Sequence, residues 1–370
     1  MKIYTLTTQY AQNYGAILQA HSLASYLNSL DNVECEVLQY LPNNYDKSWK
    51  FFQKPKTFRD LLKNIYMLLR IDLLIQRKKK QSIMRASINS LLPLSKQKYD
   101  RKSILKNPPK ADAFVCGSDQ IWNFKYREDP TYFLDFTKNM KNVKKIAYSP
   151  SMADSWKKDR YSAAKDYLKN LDYISLREYS TVKIAQQLTD KKVEHVLDPV
   201  FLKDKEYWIN LAEKPNIKEP YIMCYFLSVT DLAVRTVKKI SKITGLPILH
   251  VNLNALDKFH SKYDIRIASP TQFLGYISNA AYVCTNSFHC SAYSVIFNKN
   301  YCVIPKNMAN ERMISLQEMF KIKDRLITED ILETLSISNL QTDYSECEKI
   351  KDNVIAKSKN YLKKAICEKN

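Results

Sequence analysis

Short apolar runs alternate with segments of helical periodicity from one end of the chain to the other. That alternation admits few folds other than layered α/β structures. Lys2–Thr7 predicts a strand. Ala16–Asn28 predicts a helix with Ile17, Ala20, Leu23, Ala24 and Leu27 on one face, and Glu34–Tyr40 predicts the next strand, which completes a βαβ unit. Ala113–Cys116, Lys145–Ser149, Tyr173–Leu176 and Val193–Leu197 predict short buried strands, with helices near 160–170 and 180–189. The pattern restarts at Tyr221–Leu227, whose unbroken apolar character predicts a central parallel strand. Asp231–Thr244 predicts a helix ending near Gly245. Leu246–Val251, Ala281–Thr285 and Tyr301–Ile304 predict strands, and Cys290–Phe297 a helix. Ser269-Pro270-Thr271-Gln272 is a helix start, with an N-cap Ser, a first-turn Pro and Gln at the capping-box position. Asp198-Pro199 and Pro215 to Pro220 interrupt the pattern, which places the division between two units near 198–220.

A length of 370 residues suits two such units and needs no disulfide or metal to stabilise them. Only four residues are glycine, which excludes GxGxxG and Walker-type phosphate loops. Eight cysteines show neither a CxxC pair nor zinc-type spacing, so reduced, mostly buried thiols are expected. The N-terminus passes directly into a strand, without a secretory leader, and no run is long and apolar enough to span a membrane, so a cytoplasmic protein is expected.

Positive charge is concentrated. Residues 41–110 hold 18 Lys and Arg against 4 Asp and Glu. Such a local field implies a polyanionic neighbour. Within it, Phe58, Leu61, Leu62, Ile65, Leu68, Leu69 and Leu73 fall near helical spacing over 58–76, and Arg77-Lys78-Lys79-Lys80 follows. Residues 58–80 therefore read either as a membrane-surface helix that meets anionic lipid or as a core-facing helix with a solvated basic face. No nucleic-acid-binding motif accompanies the charge, and nucleic acid is not an expected partner.

In open α/β sheets ligands bind beyond the carboxyl ends of the strands. After the first strand come Asn13, Tyr14 and Gly15 at a helix entry, suited to an anion or to a plain turn. After Ala113–Cys116 come Gly117-Ser118-Asp119-Gln120-Ile121-Trp122-Asn123, a dense set of groups able to read sugar hydroxyls and stack on a sugar face. After Tyr173–Leu176 comes Arg177-Glu178, either an anion-binding guanidinium or a surface ion pair. After Ala281–Thr285 comes Asn286-Ser287-Phe288-His289, the best-placed histidine of five.

Taken in order, NYGAILQA (13–20), GSDQIWN (117–123), YSPSMA (148–153), SLRE (175–178), LDPVFL (197–202) and CTNSFHCSAYSVIFNK (284–299) closely resemble the polysaccharide pyruvyl transferase family. The resemblance implies an α/β, GT-B-like architecture of two Rossmann-like domains with parallel sheets facing a cleft. Residues 1–198, including the basic segment 41–110, would form the first, and 199–370, with a C-terminal helix, the second. It implies phosphoenolpyruvate as donor; with no metal-ligand cluster visible in the sequence, a metal-independent reaction with no further cofactor is expected. The acceptor would be a sugar of a capsular or exopolysaccharide precursor, lipid-linked or nucleotide-linked. Two roles carry over: Arg177 binds the donor and His289 acts in catalysis. Some family members have a second Arg two residues before the His, where this chain has Ser287; Arg312 and Lys306 are the residues available to compensate. Asp119 is the candidate base. Asn13, Gly15, Ser118, Gln120, Trp122, Asn123, Ser287 and Arg312 complete the expected substrate site. A GT-B glycosyltransferase using a nucleotide sugar is the closest rival reading, and a non-catalytic polyanion-binding protein is a more distant one.

Overall fold

The alternating pattern resolves into two wholly parallel sheets in the computed structural model. It describes residues 1–42, 49–50, 52, 54–55, 57–125, 128–153, 156–252, 259, 261–305, 311–323 and 325–368. The first sheet contains β1 (Lys2–Leu6), β2 (Glu34–Tyr40), β3 (Leu94–Tyr99), β4 (Ala113–Cys116), β5 (Lys144–Ala147), β6 (Tyr173–Leu176) and β7 (Val193–His195), ordered 3-2-1-4-5-6-7. The second contains β8 (Ile222–Tyr225), β9 (Ile248–Val251), β10 (Tyr263–Ile265), β11 (Tyr282–Thr285) and β12 (Asn300–Val303), ordered 10-9-8-11-12. Each order reverses once, between β1 and β4 and between β8 and β11. A crevice opens at such a reversal, beyond the carboxyl ends of the strands. This is the GT-B-like arrangement that the sequence predicts.

The helices of eight residues or more are α1 (Tyr14–Leu27), α2 (Phe58–Leu69), α3 (Ile71–Leu91), α4 (Tyr161–Lys169), α5 (Tyr179–Gln186), α6 (Asp231–Thr244), α7 (Pro270–Ser278), α8 (Phe288–Ile296), α9 (Glu311–Met319) and α10 (Ser345–Cys367). Strands β4, β8 and β11 are buried at every position, because helices cover both faces of each sheet. The capping box of α7 forms as expected: Gln272 N–H donates to Ser269 Oγ, and Ser269 N–H to Gln272 Oε1, both at 3.0 Å.

Helix α1 joins the two halves. Ile17, Leu18, Leu23 and Leu27 are fully buried, each stabilising the core by about 2 kcal/mol relative to exposure. Tyr14, its first residue, packs its ring 4.9 Å from Phe273 and 5.8 Å from Tyr225, both beyond the first sheet. Helix α10 crosses back to the first sheet. Tyr361 Oη donates to Ala147 O at 2.9 Å, Lys144 Nζ donates to Ile366 O at 2.6 Å, and Leu197 N–H donates to Ser358 Oγ at 2.9 Å.

Two expectations need correction. The single helix predicted over 58–76 breaks at Arg70, whose backbone leaves the helical region (φ −109°, ψ 70°). Leu73 turns into the core while the rest of the apolar series on α2 stays exposed. Strands β3 and β10 carry no apolar run. Both are edge strands, and the exposed Lys96, Gln97 and Lys98 of β3 show why periodicity misses it. The eight cysteines are reduced, and seven are buried.

His21, on α1, lies 2.6 Å from both Leu91 O and Tyr207 Oη. Burial pulls its imidazole below the ordinary 6.5, and burial does the same to His195. The unfolded chain therefore binds more protons than the folded one between the folded values and 6.5. This contribution to stability is complete above that window and is lost as pH falls through it. The melting temperature should fall between about pH 7.5 and about pH 5, less steeply in His21→Gln. Identical slopes for the two proteins in thermal melts would refute the assignment.

Candidate active site

The site is built on one carboxylate at the point where the chain leaves the first sheet. Asp198 follows β7, and its Oδ1 accepts from Val200 N–H at 3.2 Å, which starts a short 3-10 turn. The other oxygen, Oδ2, faces inward. Arg177 Nη1, beyond β6, donates to it at 2.7 Å. Ser118 Oγ, beyond β4, lies 3.0 Å from Asp198 Oδ2 and 2.6 Å from Ser149 O, so its single proton is shared between two acceptors. His289 approaches from the second sheet, with Nε2 3.6 Å from the same oxygen. Side-chain exposure is 2% for Arg177, 0% for Asp198 and 8% for His289, so these charges interact in a poorly solvated setting.

Burial drives the Asp198 carboxyl upward, but His289 and Arg177 outweigh it and hold it well below the usual carboxylate range. Burial likewise opposes the Arg177 charge, and the carboxylates of Glu178, Asp198 and Asp119 overcome it, raising its pKa. The Arg177-Glu178 pair considered from the sequence does form, at 3.1 Å, but it is buried rather than on the surface. The guanidinium carbon of Arg177 sits 4.0 Å from the centroid of the Phe288 ring, a second contact from the far half of the molecule. His195 Nε2, 3.1 Å from Arg177 O, fixes the backbone of the same residue.

Two nitrogens in this cluster are buried without a hydrogen bond: Arg177 Nη2 and His289 Nε2. Orphaned buried donors carry a desolvation cost that a ligand acceptor relieves. Glycine sets how closely the halves approach. A β-carbon on Gly15, in the first turn of α1, would lie 2.2 Å from His289 Cγ. Gly117 has φ +134°, and a β-carbon there would meet Tyr148 O at 1.9 Å.

The remaining expected residues divide clearly. Asn13 caps α1, its Oδ1 accepting from Gly15 N–H at 2.9 Å, and Ser287 caps α8 through Cys290 N–H at 3.5 Å. Asp119, at φ 66°, accepts at Oδ2 from Thr8 Oγ at 3.3 Å and lies close enough to Arg177 to act on its charge. Gln120 and Asn123 bond to each other at 2.8 Å, which shapes the loop. Trp122 is fully buried. It stacks on Phe133 with centroids 4.6 Å apart and donates Nε1–H to Tyr132 O at 2.9 Å. The sugar-stacking role expected of this indole is therefore taken by the core. Arg312, half-buried on α9, lies one turn before Ser315, whose Oγ accepts from Tyr179 N–H at 3.2 Å. Lys306 lies outside the described residues. Sequence reasoning gave Asp198 no role. Its signal was an Asp-Pro pair directly after a predicted strand, in one of the quoted family blocks.

Removing the Asp198 charge takes from the buried Arg177 guanidinium the carboxylate it donates to at 2.7 Å. Asp198→Asn should lower unfolding stability by about 3 kcal/mol in urea titration. Gly15→Ala should cost about 1–3 kcal/mol and displace His289. A loss under about 0.5 kcal/mol in both would contradict this account of the site.

The sequence pattern of the polysaccharide pyruvyl transferases matches residues 13–305, and so includes every element of this cluster. A search of curated proteins finds no match. Among solved structures, a protein described as a UDP-N-acetylglucosamine 2-epimerase from Listeria monocytogenes aligns with TM-score 0.54 and 10% identity, covering 100% of this chain and 97% of that one. MnaA of S. aureus with UDP aligns with TM-score 0.51 and 12% identity, covering 99% of this chain and 90% of that one. At such identities these likenesses establish the fold alone. The match over most of the chain, from the first turn of α1 to just beyond β12, establishes the family: the chain belongs to the polysaccharide pyruvyl transferases.

Proposed function

We propose that the protein transfers the pyruvyl group of phosphoenolpyruvate to two hydroxyls of a sugar in a surface-polysaccharide precursor, forming a ketal and releasing phosphate. The observation that carries this reading is the meeting of Arg177 and His289, from opposite halves, on Asp198 Oδ2 at 2.7 and 3.6 Å, each with an unsatisfied nitrogen. A small, multiply charged donor supplies the acceptor oxygens that these nitrogens lack.

The reaction has three requirements. A proton must reach the methylene carbon of the donor, which makes the central carbon oxocarbenium-like. One sugar hydroxyl then adds to that carbon and gives up its proton. Loss of phosphate and attack by the second hydroxyl, with loss of its proton, close the ketal. His289 is the proton donor to the methylene carbon. Arg177 Nη2 binds the donor anion. Asp198, ionised and already accepting from Arg177, orients the other two and is a poor base. Asp119, with less of its carboxylate engaged, is better suited to receive the hydroxyl proton. The rival donor, a nucleotide sugar, would additionally need contacts to a base and a ribose, which a thermal-shift comparison of the two donors separates.

His289→Ala and Arg177→Ala should each reduce phosphate release in the presence of acceptor by on the order of 100-fold or more. Mass spectrometry of a lipid-linked saccharide panel should show the pyruvate ketal with phosphoenolpyruvate only. Full activity in either variant would remove that residue from the mechanism. Thermal stabilisation by UDP-sugars but not by phosphoenolpyruvate would replace the donor.

A further inference from the structure

Helix α2 presents an apolar face to solvent. Phe58 is 74% exposed, Leu62 48%, Ile65 44% and Leu69 78%, and Ile71 and Ile75 at the start of α3 are 66% and 61% exposed. At 100° per residue, Phe58, Leu61, Leu62, Ile65 and Leu69 fall within roughly one third of the circumference. The helix begins with a complete capping box, in which Thr57 N–H donates to Asp60 Oδ2 at 3.0 Å and Asp60 N–H to Thr57 Oγ at 3.2 Å. It is therefore a formed helix whose apolar stripe the described residues leave open.

Its place in the fold is defined. Residue Gln81 of α3 donates through Nε2 to Trp49 O at 3.0 Å, and Trp49 Nε1–H donates to Tyr10 O at 3.1 Å, in the loop beyond β1. Gln81 thus stands level with the carboxyl edge of the first sheet. From there α3 runs down the sheet with Met84 and Ile88 buried. The first turns of α3 and all of α2 precede that point in the chain, on the side of the carboxyl edge that also carries Ser118, Arg177 and Asp198, with Leu73 buried and Ile71 and Ile75 exposed.

The charge around the stripe has one sign. Residues 58–80 contain seven Lys and Arg against two Asp, Asp60 and Asp72. Asp60 is spent on the capping box, and Asp72 pairs with Arg70 at 2.6 Å. Lys78 and Lys79 are exposed next to the stripe. An apolar face bordered by unbalanced cations matches the surface of an anionic bilayer, where the stripe enters the headgroup–acyl boundary and the cations meet lipid phosphates. A second copy of this chain would bring the same cations together.

We propose that α2 and the first turns of α3 form a peripheral docking surface for anionic membrane, holding the carboxyl edge of the first sheet toward the lipid. The inference is independent of the donor assigned above.

The full chain should float with vesicles of phosphatidylcholine and phosphatidylglycerol in a density gradient, and remain in the dense fraction with phosphatidylcholine alone. High salt should weaken recovery. Replacing Arg77, Lys78 and Lys79 by Gln should reduce partitioning by on the order of 100-fold, at roughly 1 kcal/mol per cation. The combined Leu61→Gln, Ile65→Gln and Leu69→Gln variant should lose flotation and keep the wild-type melting temperature, since these side chains contribute little to the core. Wild-type protein that fails to float, or an apolar-face variant that floats as well as wild type, would overturn the proposal. So would a wild-type dimer on size exclusion that this variant converts to monomer, because the stripe would then be covered by a second copy.

Discussion

The Asp198 carboxylate is the charge on which the rest of the structure turns. It lies on the segment that leaves the first sheet for the second, so the chain's crossing point is itself part of the site. Arg177 and Ser118 reach it from the first sheet and His289 from the second, with Phe288 over the guanidinium. Burying such charges costs several kcal/mol per ion unless partners are placed accurately. Shifting one half against the other would separate His289 from Asp198 and Phe288 from Arg177 together. The geometry of this cluster and the relative placement of the two sheets are therefore one constraint, and α1, wedged between them, maintains it.

Much of this architecture was legible in the sequence, for a physical reason. Central parallel strands are covered on both faces, so β4, β8 and β11 read as short, mostly apolar runs buried at every position. Edge strands satisfy backbone pairing on one side only and tolerate Lys and Gln, so β3 left no periodic trace. Local chemistry fixed the start of α7, because a capping box is complete within four residues. It did not reveal the break at Arg70, because the apolar spacing runs on through that residue as though the helix were continuous.

The site was partly legible. Arg177 and His289 stood out because each follows a predicted strand, and parallel-sheet topology sends such residues to the ligand edge. The same reasoning misplaced Trp122. A strand-end position does not say whether a ring turns outward or into the layer behind the sheet, and here Phe133 and Trp156 supply aromatic surface that draws it inward. Asp198 was missed for the converse reason. An Asp before Pro reads locally as a turn cap, and its Oδ1 does cap one, while the role of Oδ2 depends on residues 21 and 80 positions earlier in the chain.

The charge count within the cluster constrains how an anion can enter. Arg177 already faces two carboxylates, Asp198 and Glu178, so its field is largely spent before any ligand arrives. A donor carrying both phosphate and carboxylate adds negative charge to that balance. With the donor proposed above, further cation is needed from outside the cluster. Ser287 cannot provide it, because a hydroxyl carries no charge, and this one caps α8. Helix α9 is held against the segment after Arg177 by Ser315 and carries Arg312 one turn earlier. With serine at position 287, Arg312 is the described residue we propose to hold the far end of the donor.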